Sequence, residues 1–353
     1  MTKLYELLQL RKRQDGDFGI EIECEGNNLA VPKNDIWNTV DDGSLRGEYP
    51  HGRAEWVFRR PHSLEDSIKE LESLAKYQAD NNAELNFSFR TSVHVHMNVQ
   101  DLTFDQYLNT VYTYLLLENA LVRYCGNERI GNRFCLRMQD AEGLSELLYG
   151  LFNKGPKMLD YFSKETAKYA SINLAATKQY GSLEFRAMQG NLSVPYISTW
   201  LRALYNIREF AKQHKDPQAI HDAFVKMSPS EFMGTVLQDE YRFFSYEDEV
   251  NDIRHAFSIT LELPYAYTND EGRKEQRKLE ILKREEEVRM QYEAEQMRLK
   301  QRMDRAIRAV QEDMDDVPQL RHANYAPEPV RRVAKLEKLL VGQGIIAHIG
   351  AEL

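Results

Sequence analysis

Four short motifs rich in metal-ligand residues follow one another along the chain: Glu21-x-Glu23, Glu55, His94-x-His96 and Glu184-x-Arg186. Carboxylates and imidazoles gathered on one surface need a cation or a phosphate to balance them. His-x-His suits zinc, and it serves equally as a mixed ligand and phosphate donor beside Mg2+. An arginine next to a metal carboxylate is what phosphoryl transfer requires: hard oxygens for the ion and a planar donor for the moving phosphate. Each motif also has a plain reading. Acidic alternation is common on the wet face of an antiparallel sheet, and an exposed Glu–Arg pair contributes little.

Residues i and i+2 of a strand point to one face, so strands are the elements that would gather these groups. Residues 17–25 alternate Phe18, Ile20 and Ile22 with Glu21, Glu23 and Glu25, which predicts a strand with one apolar and one acid face. Residues 34–60 read as an Asp41-Asp42-Gly43-Ser44 turn followed by a strand over AEWVFRR. Residues 87–99 read as a strand with Val93, Val95 and Met97 opposite the two histidines. Residues 168–176 and 182–188 read as two further strands around a glycine turn, with Leu183 and Phe185 behind Glu184 and Arg186.

Helices are predicted over 63–82 with Ser63 as N-cap, over 103–124 opened by Thr103, and over 194–213 with Pro195 in the first turn. A short amphipathic helix is expected at Leu4–Leu10. The sum over residues 1–268 is an α+β domain whose strands return to one site, with helices behind the sheet. Residues 269–317 are dominated by charges of both signs and predict a long solvated helical arm. A seam of Leu299, Met303, Ala306 and Val310 fits coiled-coil spacing but does not hold upstream, which favours a single arm or a helical hairpin. Pro318, Pro327 and Pro329 open a tail, 318–353, with a short helix.

The chain has 353 residues, 42% hydrophobic and 29% charged, enough for one large core plus an appendage. A net charge of −9 argues against nucleic acid as a bulk partner. The three cysteines, Cys24, Cys125 and Cys135, lack zinc spacing and suggest a reduced, cytoplasmic protein with core thiols. Neither a membrane span nor a secretory signal is read in the sequence.

The order of the motifs is more specific than any one of them. FGIEIE, then DDGSL with Glu55 in the following strand, then HVH, then Tyr169-x-x-x-Asn173, then SLEFR, resembles the amidoligase family. These are carboxylate–amine ligases with a glutamine synthetase-like fold, related to glutamate–cysteine ligases. The resemblance spans residues 17–210. It implies a curved antiparallel sheet, a partial barrel, backed by helices. It implies ATP with two or more Mg2+ ions, or Mn2+ in their place, and phosphoryl transfer to a substrate carboxylate. An amine then attacks the acyl phosphate and an amide forms. On the family pattern Glu21, Glu23, Glu55 and Glu184 ligate metal, and His94 joins a metal or a phosphate oxygen with His96 beside it. Arg186 holds the transferring phosphate, Asn173 lines the cleft, and Asp42 and Ser44 lie at the amine end.

The arginine cluster in NERIGNRFCLR points to Arg133 and Arg137 as further phosphate clamps. Two features depart from the pattern: Ser92 stands where a glycine is expected before the first histidine, and the charged arm has no counterpart. Two other functions are compatible with the residues. One is a metal-dependent hydrolase using the His/Glu cluster; the other is a non-catalytic assembly protein carrying a ligase-like domain. The excess of carboxylate over imidazole favours hard Mg2+ and the ligase. The expected partners are small-molecule or peptide carboxylates and amines, with the arm contacting another protein or a second copy.

Overall fold

The computed structural model describes residues 2–141, 143–162, 169–246 and 248–267, together with 286, 288–294, 296–305 and 307–308. The chain divides into two compact units, Met1–Lys274 and Glu275–Leu353. The first is α+β. Among the described residues its seven strands are β1 (Phe18–Asn27), β2 (Trp37–Val40), β3 (Arg53–Phe58), β4 (Glu84–Asn86), β5 (Ser92–Asn98), β6 (Ile172–Asn173) and β7 (Ser182–Gln189). They form one open sheet in the order β2-β3-β1-β5-β7-β6, with β4 paired to the end of β1. Every strand pairing is antiparallel.

The alternation seen in the sequence decides which face is buried. Phe18, Ile20, Ile22, Trp56, Val93, Val95, Met97, Leu183 and Phe185 are all fully buried on one side. Phe185 lies against the rings of Tyr114 and Trp200, with centroids 4.9 Å and 6.4 Å away. Those rings belong to the helices Phe104–Tyr124 and Val194–Lys212, which pack on each other and on β7 and β5. Burying a side chain of this kind is worth about 1.5–3 kcal/mol. A one-residue slip of any central strand would exchange these side chains for its charged ones, so the register is strongly held.

Helix starts follow their capping chemistry. Ser63 accepts the Asp66 N–H at 3.1 Å to open Leu64–Asp80, and Thr103 forms a reciprocal box with Gln106. Elsewhere the sequence reading needs correction. The 87–99 strand is broken: Thr91 N–H bonds the Ser88 carbonyl in a turn, and β5 begins only at Ser92. The 168–176 strand shrinks to Ile172–Asn173, because the chain turns into a helix at Ala176–Tyr180. The N-terminal helix is one turn, Leu4–Leu7, ended by Gln9 in a left-handed conformation. At Gly26 a Cβ would sit 1.8 Å from the Glu84 carbonyl oxygen, so β4 presses on β1 where only glycine fits.

In the second unit the described residues between 286 and 308 are helical and exposed. The expectations for 269–285 and 318–353, and the Ala306 and Val310 ends of the seam, lie outside the described residues. All three cysteines are free and buried, as their core placement requires. Among the described residues no helix is long and apolar enough to cross a membrane.

Candidate metal centre

The register brings the separate motifs together. Glu23 pairs with Glu55 across β1–β3, Glu21 with His94 across β1–β5, His96 with Glu184 across β5–β7, and Asn173 with Glu184 across β6–β7. All project from the side of the sheet opposite the helices. Cross-strand neighbours stand about 4.5–5.5 Å apart at Cβ, close enough for the functional groups to meet.

Two groups of ligand atoms result. Glu21, Glu55 and His94 form one; Glu21, His96 and Glu184 form the other, each with its atoms within 4.8 Å of one another. Glu21 belongs to both. One of its oxygens lies 3.2 Å from His94 Nδ1 and the other 3.2 Å from His96 Nε2. Glu23 stands outside both groups; its carboxylate accepts the Ser92 hydroxyl and lies 3.9 Å from His94 Nε2. His96, expected only beside the first histidine, is a ligand candidate in its own right. Glu184 is 6% exposed, accepts Asn173 Nδ2 at 2.7 Å and pairs with Arg186.

So many carboxylates in one place strain their own ionisation. Burial, then the charges of Glu21, Glu23 and Asp42, push Glu55 up to about 8. Burial acts the same way on Glu21 but is outweighed by the charge of His96 and by hydrogen bonds from both histidines, which hold it well below the usual carboxylate range. For His96, burial favours the neutral ring, and Glu21 followed by Glu184 reverses the balance and raises it. Glu184 is lowered: against burial stand the charges of His96, Arg186 and His94. The crowding thus favours the protonated forms of Glu55 and His96.

No protein-family model matches the chain, and no curated protein matches it.

The remaining sequence-named residues divide. Ser44 spends both its N–H and its hydroxyl on Asp42, at 2.8 Å and 3.0 Å. The turn carrying them follows Val40, the β2 partner of Glu55, so Asp42 borders the cluster. Arg137 engages Asp140 and Asn119, and exposed Arg133 lies over the Phe134 ring; neither has a contact to the carboxylates among the described residues. Arg129, from the same segment, is instead fully buried and donates to the carbonyls of Ala187 and Arg186 at 2.9 Å and 2.8 Å. Those carbonyls fall where the β5–β7 register shifts between Val93 and Val95. The bulge frees them from the ladder and the guanidinium takes them up. Ser92, noted in the sequence only as standing in for a glycine, and Ser182, the first residue of SLEFR, carry no role in the motif pattern, yet both reach the histidines. Ser92 contacts His94 Nε2 at 2.8 Å and Ser182 contacts His96 Nδ1 at 3.0 Å. Both lie two residues from a motif member on the same strand face, so the period-2 rule would have found them.

Proposed function

We propose that this protein is an ATP- and Mg2+-dependent carboxylate–amine ligase, with the sheet as part of a glutamine synthetase-like partial barrel. The observation that carries the reading is the pair of ligand groups sharing Glu21 on one sheet face, with Arg186 against Glu184. The donor set fits hard divalent ions: carboxylate oxygens outnumber imidazoles in both groups. The buried Nε of Arg186 has no partner among the described residues, a donor left over for an anion.

Bound ions would neutralise the charge that builds up as a phosphoryl group approaches an anionic carboxylate. Glu21 orients both histidines from one carboxylate. Asn173 fixes the rotamer of Glu184, and Arg186 offers a planar donor beside it. Asp42 lies at the Glu55 end, where its charge suits an incoming ammonium. On this reading the substrates are a carboxylate and an amine, small or peptide-borne. The helical arm, with Met290, Tyr292 and Met297 more than half exposed, offers a contact surface for a partner protein or a second copy. We place the protein in the cytoplasm from its thiols.

A hydrolase built on the same groups would work without nucleotide. The deciding experiment incubates the protein with ATP, Mg2+ and mixed acids and amines. Amide formed one-for-one with ADP supports the ligase; turnover without ATP, with zinc bound, supports the hydrolase.

A further inference from the structure

The helical arm carries its charge unevenly between residues 286 and 308. Residues 286–295 hold Glu286, Glu287, Glu293 and Glu295 against Arg289 alone. Residues 296–308 hold Arg298, Lys300, Arg302, Arg305 and Arg308 against Asp304 alone. One end is acidic and the other basic. Pairing within the helix offsets little of this. Arg289 reaches Glu286 and Glu293 only at 3.8 Å, with all three side chains well exposed, and such pairs contribute little. The same stretch exposes Val288, Tyr292, Leu299, Met303 and Ile307. At 3.6 residues per turn these five fall within an arc of about 100°, one apolar stripe along the helix. Met290 and Met297 lie on the opposite side, outside the stripe.

A helix with this gradient is complementary to itself turned end for end. An antiparallel second copy sets acid beside base along the whole overlap, about 34 Å of helix. A parallel copy sets five basic residues beside five. The stripe and the charges select the same register. With a two-fold axis between positions 297 and 298, Tyr292 packs on Met303 of the second copy and Leu299 on its Gln296, as core positions of an antiparallel pair do. Val288 comes level with the second copy's Ile307. On the edge of that seam Glu293, seven residues before Lys300, faces the second copy's Lys300, once on each side of the axis. Gln296, polar beside the axis, disfavours other registers.

We infer that the arm is a self-association element: two copies of this chain pair through antiparallel arms, with Tyr292 on Met303 and Glu293 facing Lys300. The same patch serves both copies, so the contact closes as a dimer. The pairing does not depend on what the sheet face binds.

The test is sedimentation equilibrium of the full-length protein over a range of concentrations. A monomer–dimer equilibrium is expected, weaker as salt rises. Glu293→Lys and Lys300→Glu each set like charges opposite one another twice per dimer, and each should weaken the dimer roughly tenfold. Both exchanges in one chain should restore it. Mixing the two single variants should also restore it, because each then meets its opposite charge. Under mild oxidation, Tyr292→Cys protein should crosslink to Met303→Cys protein faster than to itself, the three native thiols being buried. A protein that stays monomeric at every concentration overturns the inference. So does a dimer that neither single exchange weakens, or one that the double exchange does not restore. Tyr292→Cys protein that crosslinks to itself as fast as to Met303→Cys protein is the result of parallel pairing and overturns the antiparallel register.

Discussion

Metal binding to this protein should expel protons, and the number follows from the cluster. With Glu55 held up at about 8, roughly nine-tenths of the protein carries its proton at pH 7. An ion entering the Glu21–Glu55–His94 group needs that carboxylate bare, so its binding should release about 0.9 proton from Glu55 at pH 7. The second group adds a contribution from His96, whose ring Glu21 draws toward the protonated form against burial and which must be neutral to ligate. Affinity should therefore rise about tenfold per pH unit at the Glu55 group until pH reaches about 8, then level off. Titrating Mg2+ or Mn2+ into metal-free protein, in buffers of different ionisation enthalpy, counts the protons directly. Glu55→Gln should abolish the Glu55 share and leave that of His96. Metal binding with no buffer dependence at pH 7, or with unchanged proton release in Glu55→Gln, would refute the crowded-carboxylate picture.

Further predictions concern the supports of the cluster. Glu21→Gln removes the ligand common to both groups and should weaken metal at each, whereas Glu55→Gln should affect one; competition with a metal-sensitive dye separates them. Arg129→Met strands the carbonyls of Arg186 and Ala187 and should cost about 2–5 kcal/mol in denaturant melts, with Arg129→Lys recovering part of it. Glu118, on the core helix, accepts the Ser171 hydroxyl and the Met138 N–H, and burial pushes it up from 4.5 to about 7. Its folded form keeps the proton to higher pH than the unfolded chain does. The stabilisation is therefore complete below 4.5 and is lost as pH rises through about 7, for a total of about 3 kcal/mol. Glu118→Gln should flatten that part of the stability–pH curve.

What the sequence could show depended on the range of the physics behind each feature. The alternations around Glu21, His94 and Glu184 are local, and so are the Ser63 and Thr103 caps; these strands and helices stand where they were expected. The pairing of Glu23 with Glu55 and of His96 with Glu184 depends on strand order, which no local pattern carries. The break at Ser88–Thr91 escaped notice because Phe87 and Phe89 continue the alternation through a turn. Arg129 escaped selection among its neighbouring arginines because its partners are carbonyls freed by a bulge in a strand 57 or 58 residues away.

The most direct measurement is product analysis of a reaction with ATP, Mg2+, a carboxylic acid pool and an amine pool, alongside Glu184→Gln. Stoichiometric ADP, phosphate and amide from the unaltered protein, and none from Glu184→Gln, is the predicted result. Nucleotide left intact while the protein, loaded with zinc, hydrolyses a substrate would contradict it.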